Sequence, residues 1–144
     1  MKKDAVFIYS KEQLGYSFSD SHPFNQKRIV LTLDLLKKSG VITDSDIMEP
    51  RIATDDELLL AHDAKFIDIV KKAGKGEIKE VAGEIYGIGT EDTPIFPNMH
   101  EASAMLVGGP WTAVNEVRSG RERQDPNLGG GLPPGLKGRA SCVL

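Results

Sequence analysis

AVFIYSKEQLGYSFSDSHPFNQKRIVLTLDLLKKSG, residues 5–40, changes its period once, and that change sets the fold class. Ala5 to Ser10 is a short apolar run with β-branched and aromatic members, the composition of a buried strand. A polar stretch with glycine and serine follows from Lys11 to Ser21 and ends in His22-Pro23, where the proline favours extended backbone. From Asn25 to Lys38 the spacing is helical. Ile29, Leu33 and Leu36 form one stripe with Val30 beside it, Lys37 and Lys38 suit the negative end of the helix dipole, and Gly40 is a stop. A strand followed by a helix points to an α/β class.

Working outward, IMEPRIA (47–53) reads as a second strand, with Pro50 placing it at an edge or an irregularity. In TDDE (54–57), Thr54 can cap a helix while Glu57 reaches back, a capping box ahead of Leu58, Leu59 and Leu60. A further helix is expected from Asp63, with Phe66, Ile67 and Val70 turned inward. Residues 74–97 show little periodicity and read mostly as loop. Residues 99–119 are helical in character, interrupted at Gly108-Gly109-Pro110, which implies a kink or two helices joined tightly; Gly120 is the expected stop. An open parallel sheet needs several strands covered by helices. With one or two convincing strands, the chain reads as an incomplete α/β domain with a partial, mainly parallel sheet.

At 144 residues one domain is the expectation. Eighteen basic and 21 acidic residues give a formal charge of -3, and the densest basic patch, Lys71, Lys72 and Lys75, is followed closely by Glu77 and Glu80. That patch is a solvated face, so no nucleic-acid or membrane partner is expected. Cys142, the single cysteine, excludes an internal disulfide and fits a cytoplasmic location. The apolar run near the N-terminus is too short for a signal peptide or a membrane span.

NLGGGLPPGLKG (127–138) sets three glycines beside two prolines. No glycine precedes Lys and then Ser or Thr, as a phosphate-binding loop requires, and the dinucleotide G-x-G-x-x-G does not open a helix here. Composition alone supports a flexible loop. His22, His62 and His100 lie too far apart for any short-range metal motif, and G-x-S-x-G is absent.

YSKEQLGYSFSDSHPFNQKR (9–28) resembles the opening of the zinc-dependent arginase/deacetylase superfamily, and within it the bacterial acetoin-utilisation branch of the histone deacetylase family. The likeness lies in a first strand, a tyrosine-containing loop, then His22-Pro23 with Arg28 six residues after the histidine. It continues through ATDDELLLAHDAKFIDIV (53–70), through GIGTEDTPIFPNMHEASAMLVGGPWTAVNEV (87–117) with its Asp-x-Pro-x-Phe loop, and into NLGGGLPPGLKGRAS (127–141). The resemblance implies a three-layer arginase/deacetylase-like fold of which 1–144 is the N-terminal part. It also implies an ancestry among enzymes that remove acetyl groups from lysine.

In that family the glycine run precedes two adjacent histidines that orient and activate a zinc-bound water; here Pro133 and Pro134 stand at those positions. Proline has no ionisable group and no donor, so it can do neither. The family's metal-ligating aspartates and histidine, and its carbonyl-polarising tyrosine, have no counterpart before Leu144. No catalytic or metal-ligating residue, and no zinc in this chain, is therefore expected. The resemblance implies surviving substrate-pocket positions at Asp92, which would hold substrate backbone, and at Gly129, Gly130 and Gly131, a pocket wall. It implies Arg28 beside an internal channel, with Tyr16 in the adjoining loop. Departures gather in 121–144, a degenerate segment. The expectation is a truncated, inactive relative; the alternatives are a non-enzymatic fragment that binds a complementary C-terminal piece or itself, and small-molecule binding through Arg28 and the glycine loop.

Overall fold

The computed structural model describes residues 5–14, 25–78, 85–91, 93–120 and 137–138. Two short strands, β1 (Phe7–Ile8) and β2 (Ile47–Met48), pair in parallel, with Phe7 opposite Ile47 and Ile8 opposite Met48. The Tyr9 N–H donates to the Met48 carbonyl at 3.0 Å and extends the ladder by one bond. Val6, Phe7 and Ile8 are all buried. Neighbours on a strand face opposite ways, so β1 is covered on both faces, as parallel strands are. This is why 5–10 reads as an unbroken apolar run.

Between the strands lies α1 (Lys27–Lys38), which buries Ile29 and Leu33 and leaves Val30 exposed. It ends as expected: Gly40 takes φ +72°, and its N–H donates to the Lys37 carbonyl at 3.0 Å. The polar stretch after β1 is not all loop. Lys11–Leu14 forms a 3-10 turn in which Gln13 is buried, its side-chain oxygen accepting from the Ser10 N–H at 3.0 Å.

β2 stops before Pro50, and residues 51–53 leave the sheet to cross a helix instead. Thr54 then caps α2 (Asp55–Leu58) with the capping box expected from TDDE. Glu57 N–H donates to Thr54 Oγ1 at 3.3 Å, and Thr54 N–H donates to Glu57 Oε2 at 2.9 Å. From the Asp63 N-cap runs α3 (Ala64–Gly74), which buries Phe66, Ile67, Val70 and Ala73. Phe66, Val70 and Ala73 share a core with Ile88 and Met99, so the expected loop after Gly74 contributes packing as well as connection.

The long C-terminal helix, α4 (Met99–Arg118), is one element rather than two, with Pro110 inside it. The reason for Gly108 is close approach. A Cβ there would lie 1.7 Å from the Arg51 carbonyl oxygen. The glycine lets residues 51–53 lie directly on the helix, where Ala53 N–H donates to the Ala104 carbonyl at 3.0 Å and Arg51 N–H to Thr112 Oγ1 at 3.2 Å. Small residues continue along the same side: Ala113 packs with Val6, Ile8 and Met48, joining α4 to the sheet. Among the described residues no helix is long and apolar enough to cross a membrane.

Candidate functional site

Of the residues expected to survive from a substrate pocket, Arg28 alone falls among those described; Tyr16, Asp92, Gly129, Gly130 and Gly131 lie outside them, as do His22, Pro133 and Pro134. Arg28 occupies the first turn of α1, where its N–H donates to the Asn25 carbonyl at 3.2 Å and its carbonyl accepts from Thr32 Oγ1 at 2.7 Å. Sequence periodicity alone makes it a surface residue. Instead the side chain is half-buried, with Nε and Nη2 shielded from solvent. A guanidinium held away from water is placed to meet an anion or a carbonyl.

Gly87, Gly89, Thr90 and Thr93 are held together by local bonds. Gly87 and Gly89 adopt φ +71° and +79°, and the Gly89 N–H donates to the Thr93 carbonyl at 2.8 Å. Thr93 is pinned twice more: its hydroxyl donates to the Gly87 carbonyl at 2.5 Å, and its N–H to Thr90 Oγ1 at 3.1 Å. The four are thereby tied to one another within a short stretch of chain. Beyond the glycine run, Lys137 accepts the Asp63 N–H on its carbonyl at 2.7 Å, and its ammonium lies 3.7 Å from Asp63 Oδ1. Those contacts tie Lys137 and Gly138 to the start of α3.

A feature that sequence reading missed lies where β1 and β2 end. An open cleft of about 470 Å³ is lined by Tyr9, Ser10, Lys11, Glu12, Asp44, Ile47 and Glu49. Ligands in open parallel sheets commonly bind beyond the carboxyl ends of the strands. The Ser10 hydroxyl bonded to the Glu12 carboxylate, helped by Glu12's own N–H and by Lys11, holds that carboxyl below its ordinary range. No short motif marks this cleft, because its members come from two segments far apart in the chain.

A second polar group joins three helices. Asp55 Oδ2 meets the Lys71 ammonium, and Asp55 Oδ1 lies 3.3 Å from His100 Nε2. Lys71 first, and His100 after it, keep the Asp55 carboxyl below its ordinary range. His62, the other histidine described, tilts its ring against Phe66 with centroids 5.3 Å apart, a boundary packing role.

No three His, Cys, Asp or Glu side chains converge among the described residues in a way that could hold a metal ion. Zinc requires three or four such ligands at about 2.0–2.3 Å. The described residues do not fit it.

Residues 22–135 match the histone deacetylase domain family. The chain is 51% identical over 143 residues to the acetoin utilization protein AcuC of Bacillus subtilis (strain 168), covering 98% of this chain and 37% of that protein. It is 42% identical over 140 residues to AcuC of Staphylococcus aureus (strain MSSA476), covering 96% and 36%. Among solved structures it resembles an HDAC homolog complexed with SAHA, with TM-score 0.84 and 27% identity over 96% of this chain and 37% of that one. The crystal structure of an HDAC homolog from Aquifex aeolicus shares the fold, with TM-score 0.84. The chain thus spans little more than a third of the length of these relatives.

Proposed function

The chain belongs to the histone deacetylase family, and from that membership we propose that it forms one wall of a deacetylase-type substrate pocket and does not hydrolyse an amide by itself. The observation that carries this reading is Pro133-Pro134, standing directly after Gly129-Gly130-Gly131 and Leu132. Amide hydrolysis at neutral pH needs a base to take a proton from water and an acid to give one to the departing amine. Imidazoles do both because their pKa lies near neutrality. Two prolines at those positions offer neither a lone pair that titrates nor a donor.

In this reading, residues 1–144 are the N-terminal part of the domain, and 121–144 is the portion that departs from its relatives. Asp92 would hold the substrate backbone by accepting its N–H groups. Gly129, Gly130 and Gly131 would let a slender acyl-lysine chain pass close to main chain, which a Cβ would obstruct. Arg28 and Tyr16 would lie behind the reacting centre, the shielded guanidinium offering charge to a released carboxylate such as acetate. The substrate class is that of deacetylases, an acetylated lysine. The single cysteine fits a reducing cytoplasm.

The test is direct. Purified chain is incubated with an acetyl-lysine peptide and zinc, and acetate is measured over time. No release above the protein-free control is expected; turnover proportional to protein and abolished by a chelator overturns the proposal.

A further inference from the structure

Every polar atom of Thr93 is committed to the segment before it. Its N–H donates to Thr90 Oγ1 at 3.1 Å, and its carbonyl accepts from the Gly89 N–H at 2.8 Å. Its hydroxyl donates to the Gly87 carbonyl at 2.5 Å and lies 2.7 Å from the Thr90 hydroxyl. A hydroxyl carries one proton. Since that of Thr93 goes to Gly87, Thr90 is the donor between the two threonines. The chain makes room for these bonds by turning through the left-handed region at Gly87 and Gly89, where a side chain would be strained.

These bonds are anchored to the core. Ile88, between the two glycines, is 2% exposed and packs with Phe66, Val70, Ala73 and Met99. On the other side of Thr93, Ile95 and Phe96 pack against the same core, and the Asn98 N–H donates to the Gly74 carbonyl at 3.1 Å. Thr93 is therefore held to α3 and α4 from both directions along the chain. Four bonds at one half-buried residue are more than a turn requires, since a β-turn is commonly closed by one and many have none. The residue so fixed is the covalent neighbour of Asp92, one peptide bond away. A carboxylate that accepts from peptide N–H groups has to be aimed, because such bonds weaken steeply as their angle closes.

We propose that Thr93 is a positioning residue: its hydroxyl, closed on Gly87 and Thr90, sets the main chain from which Asp92 meets the backbone of an acetylated peptide. The inference rests on the reading of Asp92 as a contact to substrate backbone. It adds the residue that orients that contact and the part of the substrate it governs. Thr93 acts on recognition of the peptide N–H groups flanking the acetyl-lysine, and not on the acetyl-lysine side chain itself.

Binding of a fluorescent acetyl-lysine peptide to the full chain is measured by anisotropy, beside an otherwise identical peptide whose flanking amide N–H groups are replaced by ester oxygens. Asp92→Ala and Thr93→Val should each weaken binding of the amide peptide by roughly tenfold, the effect of losing a hydrogen bond to a charged group. Thr93→Ser, which keeps the hydroxyl, should restore most of it. The ester peptide should bind the wild type and Thr93→Val alike, whereas a merely structural role would weaken both peptides together. Circular dichroism checks that each variant keeps the wild-type helix content. If Thr93→Val does not fold, Thr90→Ala, at an exposed position, removes the acceptor of the Thr93 N–H and the donor to its hydroxyl and makes the same comparison. Undiminished binding of the amide peptide by the threonine variant, equal loss for both peptides, or no rescue by serine overturns the inference. Loss in Asp92→Ala without loss in the threonine variant overturns the inference and leaves the reading of Asp92 standing. Wild-type affinity in Asp92→Ala, or a wild-type chain that binds neither peptide, overturns that reading and the inference with it.

Discussion

Replacing Gly108 by alanine tests how the extended segment after β2 is held. In an isolated helix the change is favourable by about 1 kcal/mol, because alanine loses less backbone freedom than glycine. Here the new Cβ would lie 1.7 Å from the Arg51 carbonyl oxygen and 2.9 Å from its carbon. Both are main-chain atoms, which no rotamer change can clear. Residues 51–53 would have to withdraw by about 1.5 Å to reach ordinary contact distance. That movement would break the Ala53–Ala104 and Arg51–Thr112 hydrogen bonds, worth about 1 kcal/mol each. Overpacking adds about 1–3 kcal/mol. Set against the helix gain, the net loss is about 2–4 kcal/mol, or a fall in Tm of roughly 6–12 °C for a chain of this size. Urea unfolding can be followed by the fluorescence of Trp111, the single tryptophan, on the same helix and beside Arg51. An alanine variant as stable as the wild type, or more so, would show that no backbone crosses α4 at Gly108.

Two further predictions concern α2. Thr54→Ala removes the hydroxyl that accepts the Glu57 N–H and should cost about 1 kcal/mol by urea titration; a change near zero would mean that the box does not hold the helix start. Glu57 is held down to about 2 from an ordinary 4.5, first by its bond to Arg51 and then by the Thr54 N–H. A carboxyl depressed in the folded state contributes stability above its unfolded pKa and loses it as pH falls through the folded one. Wild-type protein should therefore lose stability as pH drops from about 4.5 to about 2, more steeply than Glu57→Gln, and parallel profiles would refute the assignment.

How much of this was legible in the sequence depended on whether a signal was local. The capping box TDDE, the stop at Gly40 and the inward row Phe66, Ile67 and Val70 were readable because each is written within one or two turns of chain. The deacetylase family was readable because four motifs occur in order along nearly the whole length. What could not be read was what one segment does to another. Nothing near Gly108 in the sequence says that Arg51 will cross it, so Gly108-Gly109-Pro110 read as an interruption when it marks a close approach. The same holds for Arg28, whose helical position gives no hint that Nε and Nη2 are shielded. It also holds for the cleft at the ends of β1 and β2, assembled from residues 9–12 and 44–49.

These unread contacts also explain how so short a sheet can hold its shape. A two-stranded parallel pair has too few ladder bonds to be stable alone. Here β1 buries Val6, Phe7 and Ile8, and the segment leaving β2 bonds to α4 at Ala104 and Thr112, so sheet and helix fix one another through main-chain groups. Small residues on the inner side of α4 are the condition for that closeness. The cost is that the bulkier apolar residues of α4, Val107, Trp111 and Val114, are left on the outside.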